Sequence, residues 1–250
     1  PATISLLVQI RCYRIASEQI ERLLNLRNLN GSQLAHLHQA FASFNWLRQY
    51  ANAMIGERCT VIAFEDIARS GNNQNLAKIN PENTIERPIV LLVRARTESA
   101  RDLEMTNYIG MMNKLIAGIN AGYPGFSVYD DDNGDFQRSW DKFLKMAMTK
   151  EHVMKYPLTP MLMQALTKPP ARVHLAVLKQ QFTTTALAIE RFRLTTRGRI
   201  PRNLAELTPK FLASQPFDPY NGQPLRYLPG SNGAYELRSI EANKPGISES

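Results

Sequence analysis

ARVHLAVLKQQFTTTALAIERFRLTTRG, residues 171–198, carries Leu175, Leu178, Phe182, Thr185, Ile189 and Phe192 at alternating steps of three and four. That spacing lays the side chains along one stripe of an α-helix, since a turn takes 3.6 residues. A half-buried strand would instead alternate at every second residue. A coiled-coil seam shares this spacing, but at fewer than three heptads a helix buried in a globular core is the simpler account. Gly198 marks the stop.

Upstream, the helical period continues. Val8, Cys12, Ile15, Ala16, Ile20, Leu23 and Leu24 define an amphipathic helix to about Leu26. Asn28 to Gly31 breaks it, and Ser32 is placed to cap a second helix over Leu34, Leu37 and Phe41. Asn45 opens a third, with Leu47, Tyr50, Met54, Val61, Phe64 and Ala68 on one face. Short connections predict antiparallel packing of these three. The Asn-rich, apolar-poor stretch 71–83 reads as an exposed connection. Thr84 then caps a long helix with Pro88 in its first turn, where a missing N–H loses no bond. Ile89, Leu92, Leu103, Met111, Leu115 and Ile119 carry this helix to Gly122. Two shorter helices follow, one after Asp135 over Trp140 to Met148 and one over Met161 to Leu166, and Pro169-Pro170 separates them from the long helix.

Beyond Gly198 the period changes. Asn203 with Glu206 three residues on is a capping-box pattern for a short turn, Leu204 to Leu207. The runs 224–228 and 234–240 alternate apolar and polar residues around Pro229-Gly230-Ser231-Asn232-Gly233, which predicts a β-hairpin. The fold class is therefore mainly α: a multi-helix array followed by a small C-terminal α+β module with an antiparallel β-hairpin. The division expected is 1–156, helical, and 157–250, long helix plus the α+β module.

The segments ALAIERFRLTTRGRIPRNLAEL and PFDPYNGQPLRYLPGSNGAYELRSI, within residues 186–240, resemble the C-terminal part of type II secretion major pseudopilins. The mechanical reasons are local. Pro201 and Pro216 restrict bends, Asp218-Pro219 starts a turn, Gly222 relieves a tight position, and Tyr227 suits a half-buried strand. With PATISLLVQIRCYRIASEQIERLL and GERCTVIAFEDI upstream, the wider chain also resembles a family of bacterial membrane-anchored envelope proteins of unassigned activity that end in such a module. The resemblance implies an anchor upstream of Pro1, an extracytoplasmic location and a helical middle region. Two departures limit it. A long helical stretch precedes the module, which argues against pilus-type polymerisation, and Glu241 to Gly246 holds one acid and a lysine where major pseudopilins bind Ca²⁺, so no metal is carried over.

Composition bounds the rest. The 250 residues are 44% hydrophobic and 21% charged, enough for a packed core without metal or disulfide staples. The longest apolar run, Ile89 to Val93, is far short of the roughly 18 residues that cross a bilayer. The opening PATISLLVQIR has no signal-peptide n-region and starts in mid-pattern, so upstream residues are expected. Cys12 and Cys59 read as buried free thiols, with a bridge between them open in an oxidising compartment. The net charge of +8 is concentrated in the last third. Nucleic acid, anionic lipid or an acidic partner would each suit that charge.

Candidate sites are few. Asp130-Asp131-Asp132-Asn133-Gly134-Asp135 is rich in oxygen ligands, but an EF-hand register puts Tyr129 at position one and Trp140 at position twelve, where acids are required. A solvated loop with Asp135 as a helix cap fits better. His36 and His38 are two apart on a helix and diverge, while His152 and His174 lack ligand-type neighbours, so packing roles are expected. Ser139 and Lys142 form a Ser-x-x-Lys pattern without the companion motifs of serine acyl-enzymes, and no phosphate-binding glycine loop or zinc-protease motif occurs. Arg191, Arg193, Arg197, Arg199 and Arg202 are the one candidate anion or partner contact, set against a plainer role offsetting a helix C-terminal dipole. No catalytic, metal or cofactor residues are assigned. The reading is a non-catalytic extracytoplasmic scaffold or partner-binding domain with an unknown protein partner. A hydrolase with scattered residues and an anionic-surface or nucleic-acid binder using the arginines are the alternatives.

Overall fold

The computed structural model describes residues 2–70, 96–123, 126, 149–156, 159 and 169–239. Their elements are α1 (Ala2–Leu26), α2 (Gly31–Ala42), α3 (Trp46–Ser70), α4 (Glu98–Ala121), α5 (Lys150–Lys155), α6 (Pro169–Thr195), a 3₁₀ turn (Leu204–Leu207), β1 (Arg226–Pro229) and β2 (Tyr235–Arg238). The fold is mainly α with a two-stranded antiparallel sheet near the C-terminus. The expected Asn-rich connection 71–83, the helix start at Thr84, the helices over 135–148 and 161–166 and the tail after Ser239 lie outside the described residues.

The chain forms two compact units. One comprises Pro1–Leu6, Leu47–Ala121 and Phe136–Pro169, and the other Leu7–Trp46, Gly122–Asp135 and Pro170–Ser250. These units are interleaved along the chain. The reason is burial: Ile20 and Leu24 of α1 and Leu34 of α2 form one apolar cluster with Leu187 of α6.

In the first unit, the backbone N–H of Thr3 donates to Glu57 Oε1 at 2.9 Å, placing a carboxylate at the N-terminus of α1 where the dipole favours it. Gly56 permits the close approach, because a Cβ there would lie 2.7 Å from that of Ala2. Arg69 ties α3 to α4 by pairing with Glu65 at 2.9 Å and Asp102 at 2.5 Å. Helix α4 begins at Glu98, since Arg96 and Thr97 are non-helical; the helix expected to run unbroken into Gly122 is interrupted there. Thr97 caps it, its Oγ1 accepting from Ala100 N at 3.3 Å. Met111, Leu115 and Ile119 are buried as the spacing predicts, whereas Leu103 is exposed and Glu104 buried in its place. Glu104 compensates by pairing with Arg96 at 3.0 Å and accepting from Thr159 N at 3.1 Å.

In the second unit, α1 presents a different face from the one expected. Leu6, at the end of the first unit, Ile10, Tyr13, Ser17, Ile20 and Leu24 are buried along the helix, while Val8, Cys12, Ile15 and Leu23 are exposed. Tyr13 packs edge-on to Phe44 and Trp46 and tilted against Phe41, each with ring centroids 5.0 Å apart. Its partners, not its own spacing, selected that face. Cys12 and Cys59 are both free and exposed rather than buried, because each lies on the turned-out side of its helix. Asn30, not Ser32, caps α2, in a reciprocal box with Gln33 (3.0 Å each way). Gln180 of α6 donates to the carbonyls of Phe41 and Phe44 at 2.9 and 2.8 Å, satisfying the open C-terminal end of α2.

Pro169 and Pro170 sit in the first turn of α6, which starts two residues before the expected Ala171, as proline's fixed φ and absent donor allow. Thr185 and Ile189 are buried, as are Leu178 and Phe192. Arg197 and Gly198 turn left-handed, φ 56° and 93°, and Gly198 N donates to Arg193 O at 2.9 Å to close the helix. Ile189, Phe192, Leu204, Leu207, Phe211 and Leu225 then form the core of the α+β module. Strand β1 pairs with β2 in the register Tyr227 opposite Leu237, and the Tyr227 hydroxyl donates to Pro201 O at 2.8 Å.

Buried Asp218 organises the turn before β1. Its carboxylate accepts from Tyr220 N at 3.0 Å and from Ser239 Oγ at 2.7 Å, and Gly222, at φ 70°, donates to its carbonyl at 2.7 Å. Replacing it orphans buried donors, so Asp218→Ala should lower unfolding free energy by about 2–3 kcal/mol in urea titrations. Asp218→Asn should lose less. Thiol labelling gives a second check: Cys12 and Cys59 should both react with a maleimide in the native protein at rates close to those in urea.

Candidate functional site

The last turns of α6 carry two kinds of side chain. Ile189 and Phe192 enter the apolar core, while Glu190 and Arg193, three residues apart and so neighbours on the helix surface, project elsewhere. Arg193 Nη2 lies 3.4 Å from Glu190 Oε1 and also donates to the carbonyl of Gly233 in the hairpin turn. The Tyr235 hydroxyl donates to the Glu190 carboxylate. Burial lifts the Glu190 carboxyl above its ordinary range, with the Arg193 guanidinium opposing that shift. Burial likewise raises the Tyr235 phenol, and the neighbouring Glu190 adds to the effect.

Across from these residues lies α1. Ser17, Glu21 and Arg27 face Lys179, Glu190, Arg193 and Tyr235 around a cavity of about 390 Å³, within the roughly 300–1,000 Å³ range of ligand sites. A second cavity of about 260 Å³ adjoins it, lined by Leu23, Leu29, Leu34 and Leu194. Leu24, Arg27, Glu190 and Arg193 line both. Two buried polar atoms on the first cavity, Ser17 Oγ and Arg193 Nε, have no hydrogen-bond partner among the described residues. A buried polar atom without a partner is destabilising by about 1–3 kcal/mol unless something occupies the space it faces.

The charges are unevenly satisfied. Glu18 pairs with Arg14 at 3.5 Å, Glu236 with Arg238 at 2.7 Å, and Glu190 with Arg193. Arg27 and Lys179 also line the cavity, and among the described residues neither has an ion pair. Glu21 lines it as well, and the Arg27 charge acts on Glu190, so the lining mixes both signs around an unused Arg193 guanidinium N–H.

The five arginines singled out in the sequence do not gather into one cradle. Arg191 lies over the Phe211 ring at 5.7 Å, and Arg199 lies over Phe192 at 5.0 Å while pairing with Glu206 at 3.1 Å. Arg197 is exposed at the left-handed helix end, and Arg202 is exposed, its backbone N–H donating to Glu206 at 2.9 Å. Only Arg193 of these five reaches the cavity. Ser17, Arg27, Lys179, Glu190 and Tyr235 were not selected from the sequence. The available signal was Glu190 three residues before Arg193, next to the apolar Ile189 and Phe192.

The other candidates separate cleanly. His174 is buried, its Nδ1 2.7 Å from the Tyr123 hydroxyl and its ring stacked on Phe126, and burial pushes its pKa down to about 3. It is a packing histidine. Burial and then the Arg191 charge lower His38. Among the described residues no cluster of histidine, cysteine or acids could hold a metal ion. Asp130 to Asp135, Ser139, Lys142 and the side chain of His152 lie outside the described residues.

Compared with known proteins, the chain matches no family model, no curated protein and no solved structure.

The Glu190 environment has a pH signature. A carboxyl whose folded pKa exceeds its unfolded value of 4.5 favours folding most below that value, and loses this contribution as pH rises through the folded pKa. Glu190→Gln removes the charge that burial penalises. Relative to wild type, its melting temperature should therefore rise between about pH 4 and pH 7; a constant difference across that window would mean the carboxyl is not perturbed.

Proposed function

We propose that this chain is a non-catalytic partner-binding domain on the extracytoplasmic side of a membrane-anchored bacterial envelope protein, with its C-terminal module acting as a pseudopilin-like cap. The observation that carries the binding role is the cavity between α1, α6 and the hairpin turn, where buried Ser17 Oγ and Arg193 Nε have no hydrogen-bond partner among the described residues. Such a surface gains by association, because a partner supplies the missing acceptors. The compartment rests on the likeness of residues 186–240 to major pseudopilins, together with the local roles of Asp218, Gly222 and Tyr227 in the turn and strand.

Both parts are open to direct test. A photo-crosslinking side chain at Glu21, on the lip of the cavity, should give a discrete adduct in the native envelope, identified by mass spectrometry, that is missing when the probe sits at exposed Arg48. Equal labelling at both positions would defeat the binding role. Protease added to spheroplasts should digest the domain, whereas protection until the inner membrane is broken would defeat the location.

A further inference from the structure

Strand β2 and the turn before it border the larger cavity with consecutive residues. Gly233, Ala234, Tyr235, Glu236 and Leu237 all line it, and no residue of β1 does. Side chains along a strand point alternately to opposite faces, so a space that meets three successive residues is reached across the strand's edge. The register shows what that edge offers. Gly230 N donates to Ala234 O at 2.8 Å, and counting in twos from there makes Leu228 with Glu236 and Arg226 with Arg238 the hydrogen-bonded pairs. Pro229, which has no N–H to give, falls opposite Tyr235 in a non-hydrogen-bonded pair, as that phase requires. The main-chain N–H and C=O of Tyr235 and Leu237 therefore point away from β1, and among the described residues they have no hydrogen-bond partner. The outer edge of β1 offers less, because its outward residues are Tyr227 and the donorless Pro229.

We infer that this edge, on the binding role proposed above, takes an extended segment of a partner protein as a third strand, antiparallel to β2, with its main chain bonded to Tyr235 and Leu237. A main chain carries one donor and one acceptor per residue, so a strand meets these groups without bringing net charge to a lining that already holds both signs. The side chains of Tyr235 and Leu237 pack on the apolar core of the module. On that face the added strand is apolar, next to Phe182 and Ala186 of α6, and on the face it shares with exposed Glu236 it is polar. Ser17, Glu21 and Leu24 of α1 wall the opposite side of the cavity, so a single extended chain enters there and the edge of a second folded sheet does not.

The test uses the whole chain and the uncharged peptide Thr-Val-Thr-Val-Thr, labelled at one end and blocked at the other. Fluorescence anisotropy should show saturable binding. Methylating the valine amides in one peptide and the threonine amides in another should weaken one of the two at least tenfold and spare the other, since only alternate N–H groups face β2. In amide exchange followed by NMR, Tyr235 and Leu237 of the free protein should exchange faster than Glu236 and Arg238, and the peptide should slow the first pair at least tenfold. Leu237→Pro removes an outward N–H without touching a bond to β1 and should abolish binding, while Leu237→Ala, which keeps that N–H, should bind within a few-fold of wild type. No saturable binding, equal effects of the two methylations, or binding that leaves exchange at Tyr235 and Leu237 unchanged would overturn the inference. So would a dimer in sedimentation whose dissociation frees these amides, since the edge would then pair with a second copy. If Glu21 gives its envelope adduct while the peptide leaves these amides fast, this inference fails and the partner-binding role survives. If the peptide slows them but no envelope adduct forms, the reverse holds.

Discussion

Enclosure of α6 is the constraint on which the second unit depends. Leu187 meets α1 and α2 on one side, and Ala188, Ile189 and Phe192 meet the C-terminal turns on another. Leu187, Ile189 and Phe192 each stabilise by roughly 1.5–3 kcal/mol relative to exposure, far more than an isolated short hairpin gains from its own pairing. The hairpin and the first two helices therefore share one support, although more than a hundred residues of chain lie between them. A helix used on several faces leaves little surface for charged groups. Glu190 and Arg193 consequently emerge where α1 and the hairpin turn fail to close over α6, and the gap they line is the cavity.

The polar groups in that gap are held rather than free. Arg193 is fixed by the Gly233 carbonyl and by Glu190, and Glu190 by the Tyr235 hydroxyl. Both partners come from the hairpin or from α6 itself, so orienting the guanidinium depends on correct docking of a turn that includes left-handed Asn232 and Gly233. Preorganised donors bind an acceptor with little further loss of side-chain freedom. In the first unit, buried Glu104 is instead paired with Arg96 and accepts from Thr159 N.

Most helix positions among the described residues, the change of period after Gly198, the hairpin and the Asp218 to Gly222 turn were legible in the sequence, because each follows from local chemistry: side-chain spacing, proline's fixed φ, glycine's access to positive φ, and short polar side chains that cap. Local chemistry left other matters undetermined. Helix α1 has apolar residues around much of its circumference, Leu6, Leu7, Val8 and Ile10 among them, so periodicity alone admits more than one buried face. Tyr13 packing on Phe41, Phe44 and Trp46 made the choice. Likewise the arginines form a cluster along the chain but not in space, since a helix end, a bend and a 3₁₀ turn send neighbouring residues to different aromatic and acidic partners. The cavity joins Ser17 and Arg27 to residues 179–235, and which residues meet across such a distance is decided by burial of the whole core, a property that no single segment of the sequence contains.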